Sequence, residues 1–256
     1  MATVPALIGR EAARYFAAQQ FLTRLPTPGW IEYEPGGLAR AARYFPLVGL
    51  IVGGLSALIW MIFAPVAPAP LAAGLALAVL ILTTGALHED GFADCCDGLG
   101  GGAGREKALE IMRDSRIGAY GAIGLVMTIG FRWAALGGLD VAAGAAALLL
   151  APVLGRGAMV VLLAFGAYAR PDGAARDVKD GVTRPELAVA LAICAVAAII
   201  FAGWIGLFAL AAMLIAAALW LVWLTHRLGG YTGDGLGAAE QIAQIITFLC
   251  LAAAWS

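Results

Sequence analysis

From Arg43 onward the chain alternates long apolar runs with short polar connections, and seven runs approach the roughly 20 residues that a helix needs to cross a hydrocarbon core of about 30 Å. They cover residues 44–63, 67–87, 118–139, 141–165, 187–203, 204–224 and 238–255. The fifth is short, its border with the sixth at Gly203 is soft, and Pro65, Pro68 and Pro70 loosen the start of the second. Ahead of these runs, Phe16, Phe21 and Leu25 with Arg10, Arg14 and Arg24 predict a short amphipathic helix ended by Pro26 and Pro28. Its place is the lipid headgroup level or, equally well on periodicity, a soluble cap. The opening residues lack an unbroken apolar core followed by a small-residue cleavage site, so a removable secretory leader is not expected. The fold class predicted is all-α: a polytopic integral membrane helical bundle of about seven transmembrane helices. Residues 1–256 form a single membrane domain, with 1–42 a cytoplasmic N-terminal segment and 43–256 the transmembrane bundle.

Composition supports this reading. Hydrophobic residues make up 62% and charged residues 13% of the 256, and mean hydropathy is +0.90, whereas a soluble domain is roughly 45–50% apolar. A net charge of −1 argues against the basic surface of a nucleic-acid binder. Cys95, Cys96, Cys194 and Cys250 have neither zinc-ligand nor CxxC spacing, so they imply no disulfide framework. The distribution of charge says more than its sum. If the runs alternate sides, fourteen of the sixteen Lys and Arg residues fall on one side. Arg132 and Arg156 fall inside runs, and none lies on the other side, where Asp140 is the one acid. By the positive-inside rule the cation-rich side, and with it the N-terminus, is cytoplasmic.

Four polar segments then meet at one cytoplasmic mouth. The richest is 88–120, where Asp90, Asp94 and Asp97 stand at i, i+4 and i+7 and share one helix face. Three acids that close repel one another unless a cation sits among them, and oxygen donors suit Mg²⁺, or Mn²⁺, better than softer ions. A solvated acidic loop is the plain alternative. The glycine run 98–104, with Gly98, Gly100 and Gly101, can adopt φ > 0 and bring backbone N–H groups close to an anion, although a link between two helices has the same composition. The stretch 105–116 reads as a helix carrying Glu106, Glu110 and Asp114, with Arg113 and Arg116 beside the last acid. Asp234 sits in a glycine-flanked turn before the last run, with Thr232 as a candidate cap. Lys179 and Arg184 are further candidates for phosphate. Arg156 requires a partner inside the bundle or a route to the interface, because an unpaired cation at the bilayer centre costs about 2.5 kcal/mol or more. Arg132 reads as a cation snorkelling along its helix, and His88 as a supporting or turn residue. Hard-cation ligands, glycine turns and arginines at one membrane face describe phosphoryl transfer on a pyrophosphate.

The run HEDGFADCCDGLGGG followed by ALEIMRDSRIGAYG resembles the signature of the cobalamin synthase family, the membrane-bound adenosylcobinamide-GDP ribazoletransferases. FLTRLP (21–26), RYFPLVG (43–49), LGR (154–156) and TGDGLGA (232–238) resemble the family's other marks in the same order. The resemblance implies Mg²⁺-dependent transfer of the cobinamide phosphoryl group from its GDP diester to a ribose hydroxyl of α-ribazole or its 5′-phosphate. GMP would be released, late in cobalamin biosynthesis, at the cytoplasmic face of a bacterial inner membrane. On that view Asp90, Asp94 and Asp97 bind metal, and Asp97 or Asp114 is the base. Arg43, Arg113 and Arg116 contact phosphate, with Arg156, Asp234, Gly98, Gly100 and Gly101 completing the substrate site. The partners implied are the two small molecules and the lipid bilayer, without nucleic acid; a homo-oligomer is left open. Two departures stand out: Cys95-Cys96 replaces a Thr-Ala-like pair, and Gln241 and Gln244 occupy positions where a glutamate is expected. Rival readings are a CDP-alcohol phosphotransferase, whose later G-x3-D-x3-D spacing is missing, and a cation-coupled transporter using Asp90, Asp94 and Arg156.

Overall fold

The computed structural model describes residues 4–29, 31, 37–102, 104–170 and 182–255. Its helices are α1 (Val4–Leu22), α2 (Gly37–Ala41), α3 (Phe45–Phe63), α4 (Ala69–Thr84), α5 (Leu87–Gly101), α6 (Arg105–Ile111), α7 (Ala119–Gly137), α8 (Val141–Phe165), α9 (Arg184–Leu228) and α10 (Gly233–Trp255). A 3-10 turn, Ala42–Tyr44, joins α2 to α3. No strand occurs among the described residues, only an isolated parallel bridge between Tyr168 and Tyr231. The protein is an all-α polytopic membrane bundle, as the apolar pattern predicts.

α8 forms the core. It is buried along nearly its whole length and packs against α3, α9 and α10. Asp140 caps it, accepting a hydrogen bond from the Ala143 N–H at 2.8 Å. Small residues let its neighbours approach closely: Gly49 and Gly53 of α3, spaced as in G-x3-G, lie directly on the α8 backbone at Pro152 and Leu148. Helices packed in lipid gain little from apolar burial alone, so this backbone-to-backbone fit is a main source of cohesion. A polar link from Trp60 Nε1 to the Val141 carbonyl at 3.0 Å reinforces it, and another from Ser56 Oγ to the Ala76 carbonyl at 2.7 Å ties α3 to α4.

Each of the seven apolar runs coincides with a helix or half-helix. Among the described residues five helical segments are long and apolar enough to cross a membrane alone, or six if the bent pair α4 and α5 is one span. α9 is not one straight rod. Gly203 has φ 56 and ψ −132, and a Cβ at Gly206 would collide with the Ala198 carbonyl. Eight residues apart on a straight helix lie about 12 Å apart, so the chain folds back at Gly203, dividing α9 into 184–202 and 204–228. The soft border in the sequence is a reversal.

The second run differs from expectation. α4 stops at Thr84, where Gly85 (φ 68) and Ala86 (φ 59) both take the left-handed conformation, and α5 leaves at 88° to it. Consequently the polar signature is not a loop outside the bundle. α5 packs against α10 and α7, burying His88, Glu89, Gly91, Ala93, Cys95, Asp97, Gly98 and Leu99. The N-terminal helix exists as predicted, as α1, and docks on the bundle through buried Ala17, Ala18 and Leu22. The Tyr44 hydroxyl donates to Glu11 at 2.6 Å, tying the same helix to the start of α3.

Candidate active-site cleft

Several chain ends converge where α5 crosses the start of α10. Ala169 N–H donates to the Tyr231 carbonyl and Tyr231 N–H to the Ala167 carbonyl, both at 2.8 Å, which stitches the segment after α8 to the one before α10. This brings Arg170 to Asp234, 2.7 Å apart. Arg105 donates to the carbonyls of Leu228 and Ala169 at 2.7 and 2.9 Å, tying α6 to the same spot. Thr232 caps α10, its Oγ accepting from Gly235 N–H at 3.0 Å, as expected from its place before Asp234. Gly91 permits the crossing, because its missing side chain would meet the Asp234 backbone at 3.0 Å.

The result is a cleft walled by Asp90, Asp234, Arg170, His88, Phe21 and Tyr168 among others. Its volume of about 210 Å³ falls below the roughly 300–1,000 Å³ of a whole-ligand pocket. Two depressions share its walls. One, bordered by Arg24, Thr23 and Thr84, meets it at Asp90; the other, bordered by Arg105, Glu106 and Arg113, meets it at Arg170. The line therefore runs from cation to acids to cations. Asp94, one turn beyond Asp90 on α5, feels the charges of Asp234, Asp90, Arg170 and Asp97.

The acids predicted to act together are separated by the structure. Asp97 accepts hydrogen bonds from Gly118 N–H at 2.7 Å and Gly121 N–H at 2.8 Å, so both its oxygens cap the N-terminus of α7. Among the described residues no three His, Cys, Asp or Glu side chains converge at metal-ligand spacing. The trio of Asp90, Asp94 and Asp97 is thus not a closed cage. Asp90, Asp94 and Asp234 do fit a hard cation in donor chemistry, since Mg²⁺ is commonly held by one or two carboxylates together with substrate phosphates.

Other expected site residues are also placed differently. Asp114 lies outside α6, bonded to Arg116 at 2.6 Å on an exposed turn, and this guanidinium holds its carboxyl at about 2. A base that weak draws little driving force for taking a hydroxyl proton near neutral pH. Neither candidate base is therefore poised to act as one. Arg43 is engaged with Glu186 at 2.5 Å and lies 3.7 Å from Glu11. Arg113 borders a depression beside the cleft. The glycine run forms no positive-φ nest among the described residues. Gly98 and Gly100 instead admit Met112 with the Ala108 carbonyl and the Tyr120 ring, respectively. Lys179 lies outside the described residues, and Arg184 begins α9.

Arg156 does not face the cleft. It is fully buried and bonded to Glu240 at 2.8 Å, the partner its place in a span demanded. Arg132 is likewise fully buried, 3.2 Å from Glu89, which corrects the snorkelling reading. Gln241 and Gln244, the amides found where a glutamate is expected, belong to the same network. Gln241 donates to Glu89 and Glu240 at 3.1 and 2.9 Å, and Gln244 to Glu240 at 2.6 Å. The clue in sequence was the presence of two cations and the acids Glu89 and Glu240 within or beside apolar runs. Which acid meets which cation depends on helix packing.

Fold and cleft together define a polytopic all-helical membrane protein whose polar chemistry is gathered at one end of the bundle. The sequence profile of the cobalamin-5-phosphate synthase family matches residues 14–252, and the chain belongs to that family. It is 43% identical to an adenosylcobinamide-GDP ribazoletransferase of Leptothrix cholodnii, over 96% of this chain and 97% of the relative. It is 40% identical to one of Ralstonia nicotianae (95% and 96% covered) and 35% identical to one of Shewanella amazonensis (96% and 97%). No solved structure matches. Family membership decides against the CDP-alcohol phosphotransferase and the transporter.

Proposed function

We propose that this chain transfers the cobinamide phosphoryl group of adenosylcobinamide-GDP to a ribose hydroxyl of α-ribazole or its 5′-phosphate, releasing GMP. The observation that carries this is the family match over residues 14–252, and the cleft supplies matching chemistry. Two carboxylates of the group Asp90, Asp94 and Asp234, together with the substrate's diphosphate, would hold Mg²⁺, or Mn²⁺. Bound there, the ion would polarise the phosphoryl oxygens and offset leaving-group charge. Arg170, held by Asp234, would meet the phosphate charge that develops, and Arg24 and Arg113 border the two flanking depressions. The carboxylate of the acid group left free of the ion is the acceptor for the hydroxyl proton. Phe21 and Tyr168 give the cleft an apolar wall, which limits water near the reacting bond. Arginine and lysine asymmetry orients the cleft toward the cytoplasm of a bacterial inner membrane.

The test uses protein purified in detergent. GMP release should require Mg²⁺, adenosylcobinamide-GDP and a ribazole acceptor together. Release without the acceptor, or full turnover in chelator, would refute the corresponding part.

A further inference from the structure

Within the apolar bundle, one turn behind the cleft, two arginines and two glutamates are almost completely enclosed. Arg132 and Arg156 are 0% exposed, Glu240 0% and Glu89 4%. Glu240 binds Arg156 Nη1 at 2.8 Å, accepts from Gln244 and Gln241, and lies 3.8 Å from His88 Nε2. Glu89 accepts from Arg132 and Gln241, and Arg132 also donates to Gln244 at 3.2 Å. The cluster therefore spans α5, α7, α8 and α10. Its members adjoin the cleft acids in sequence: Glu89 precedes Asp90, and Glu240 lies six residues beyond Asp234. Glycines bring the same two helices into backbone contact, since a Cβ at Gly237 would lie 3.2 Å from the His88 carbonyl oxygen. Among the described residues, both ring nitrogens of buried His88, which also walls the cleft, lack a hydrogen-bond partner, as do Nε and Nη2 of Arg156.

We propose that Glu240 is a positioning residue: through Arg156, Gln241 and the neighbouring His88 it fixes the register of α10 on α5, and with it the place of Asp234 beside Asp90 in the cleft. The argument is mechanical. The cleft acids sit on two different helices whose crossing has small side chains, and the direct side-chain hydrogen bond named above between them is Gln241 to Glu89, whose amide Glu240 braces by accepting from the same Nε2. A buried ionic cluster is weak evidence for stability but a good device for selecting one register, because slippage would leave charges unpaired in an apolar interior. Misplacement of reacting groups by about 1 Å can reduce the rate roughly 100-fold.

This inference rests on the transferase reading, and the experiment separates their failures. Steady-state GMP release is measured for the wild type, Glu240→Gln, Glu240→Asp and the double variant Glu240→Met with Arg156→Met, alongside thermal stability in detergent. The double change removes both charges and strands neither, so its folded state should persist. Expected are a kcat reduced at least tenfold per folded protein in Glu240→Gln and in the double variant, KM for both substrates within threefold of wild type, and partial recovery in Glu240→Asp. Wild-type kcat in the stable double variant would overturn the proposal, as would loss of activity only in proportion to loss of folded protein. If the double variant does not fold, kcat of monodisperse Glu240→Gln decides in the same way. Absence of GMP release by the wild type itself would instead refute the transferase reading.

Discussion

Asp90 and Asp97 lie seven residues apart on one helix face yet have different surroundings. Asp90 is exposed in the cleft, whereas Asp97 is 9% exposed and bonded to two backbone N–H groups of α7. Substitution should separate them. Asp90→Asn should leave thermal stability unchanged while kcat falls roughly 100-fold or more, because changes in the outer shell of a metal site alone cost 10–100-fold. Asp97→Ala should lower stability by about 1–3 kcal/mol, the cost of leaving buried donors unsatisfied. Its Mg²⁺ dependence should be retained by the folded fraction. Thermal melts in detergent and Mg²⁺ titration of GMP release check both, and the opposite pattern would return Asp97 to the metal site. Helical spacing placed both acids on one face; it carried no information about the α7 N-terminus that captures one of them.

At the scale of elements, the bundle depends on close helix crossings at small residues. Gly49 and Gly54 sit on the same helix, but a Cβ at Gly49 would press on the Pro152 and Val153 backbone at 2.7–2.9 Å, while one at Gly54 meets nothing within 4 Å. Gly49→Ala should therefore destabilise the protein. Gly54→Ala should be neutral or stabilising by up to about 1 kcal/mol, the helix-propensity gain. Midpoints of thermal aggregation for the pair check this. Equal midpoints would show that the α3–α8 contact is looser than the structure has it. The 88° corner at Gly85 and Ala86 and the reversal at Gly203 are element-scale features too. Glycine at Gly85 and Gly203 is a signal of a turn in sequence, but only packing against α7 and α10 decides that α5 returns into the bundle.

For the whole molecule, the arrangement of charge makes an orientation testable. In a chain whose four native cysteines are replaced, a single cysteine at Ser115 should be shielded from a membrane-impermeant thiol reagent added to intact spheroplasts and react after lysis. One at Gly138, beside Asp140, should react in intact spheroplasts. The reverse labelling would invert the cleft and place its chemistry outside the cell. The Lys and Arg bias predicts this because translocation of cationic segments is disfavoured, a constraint acting on the entire chain rather than on any one helix.

The linear chain determined the class of fold, the approximate extent of the apolar helices, and the stretch around which the polar chemistry gathers. Those features follow from local rules: a helix must satisfy its own backbone in lipid, and acids and arginines are costly enough in an apolar chain to be informative wherever they occur. Tertiary structure alone decided partnership. It gave Asp97 to α7, Asp234 to Arg170, Arg132 to Glu89 and Arg156 to Glu240. The physical reason is that ionic and hydrogen-bond partners are chosen by distances of a few ångströms between helices far apart in sequence, and those distances are set by where small residues let the helices touch.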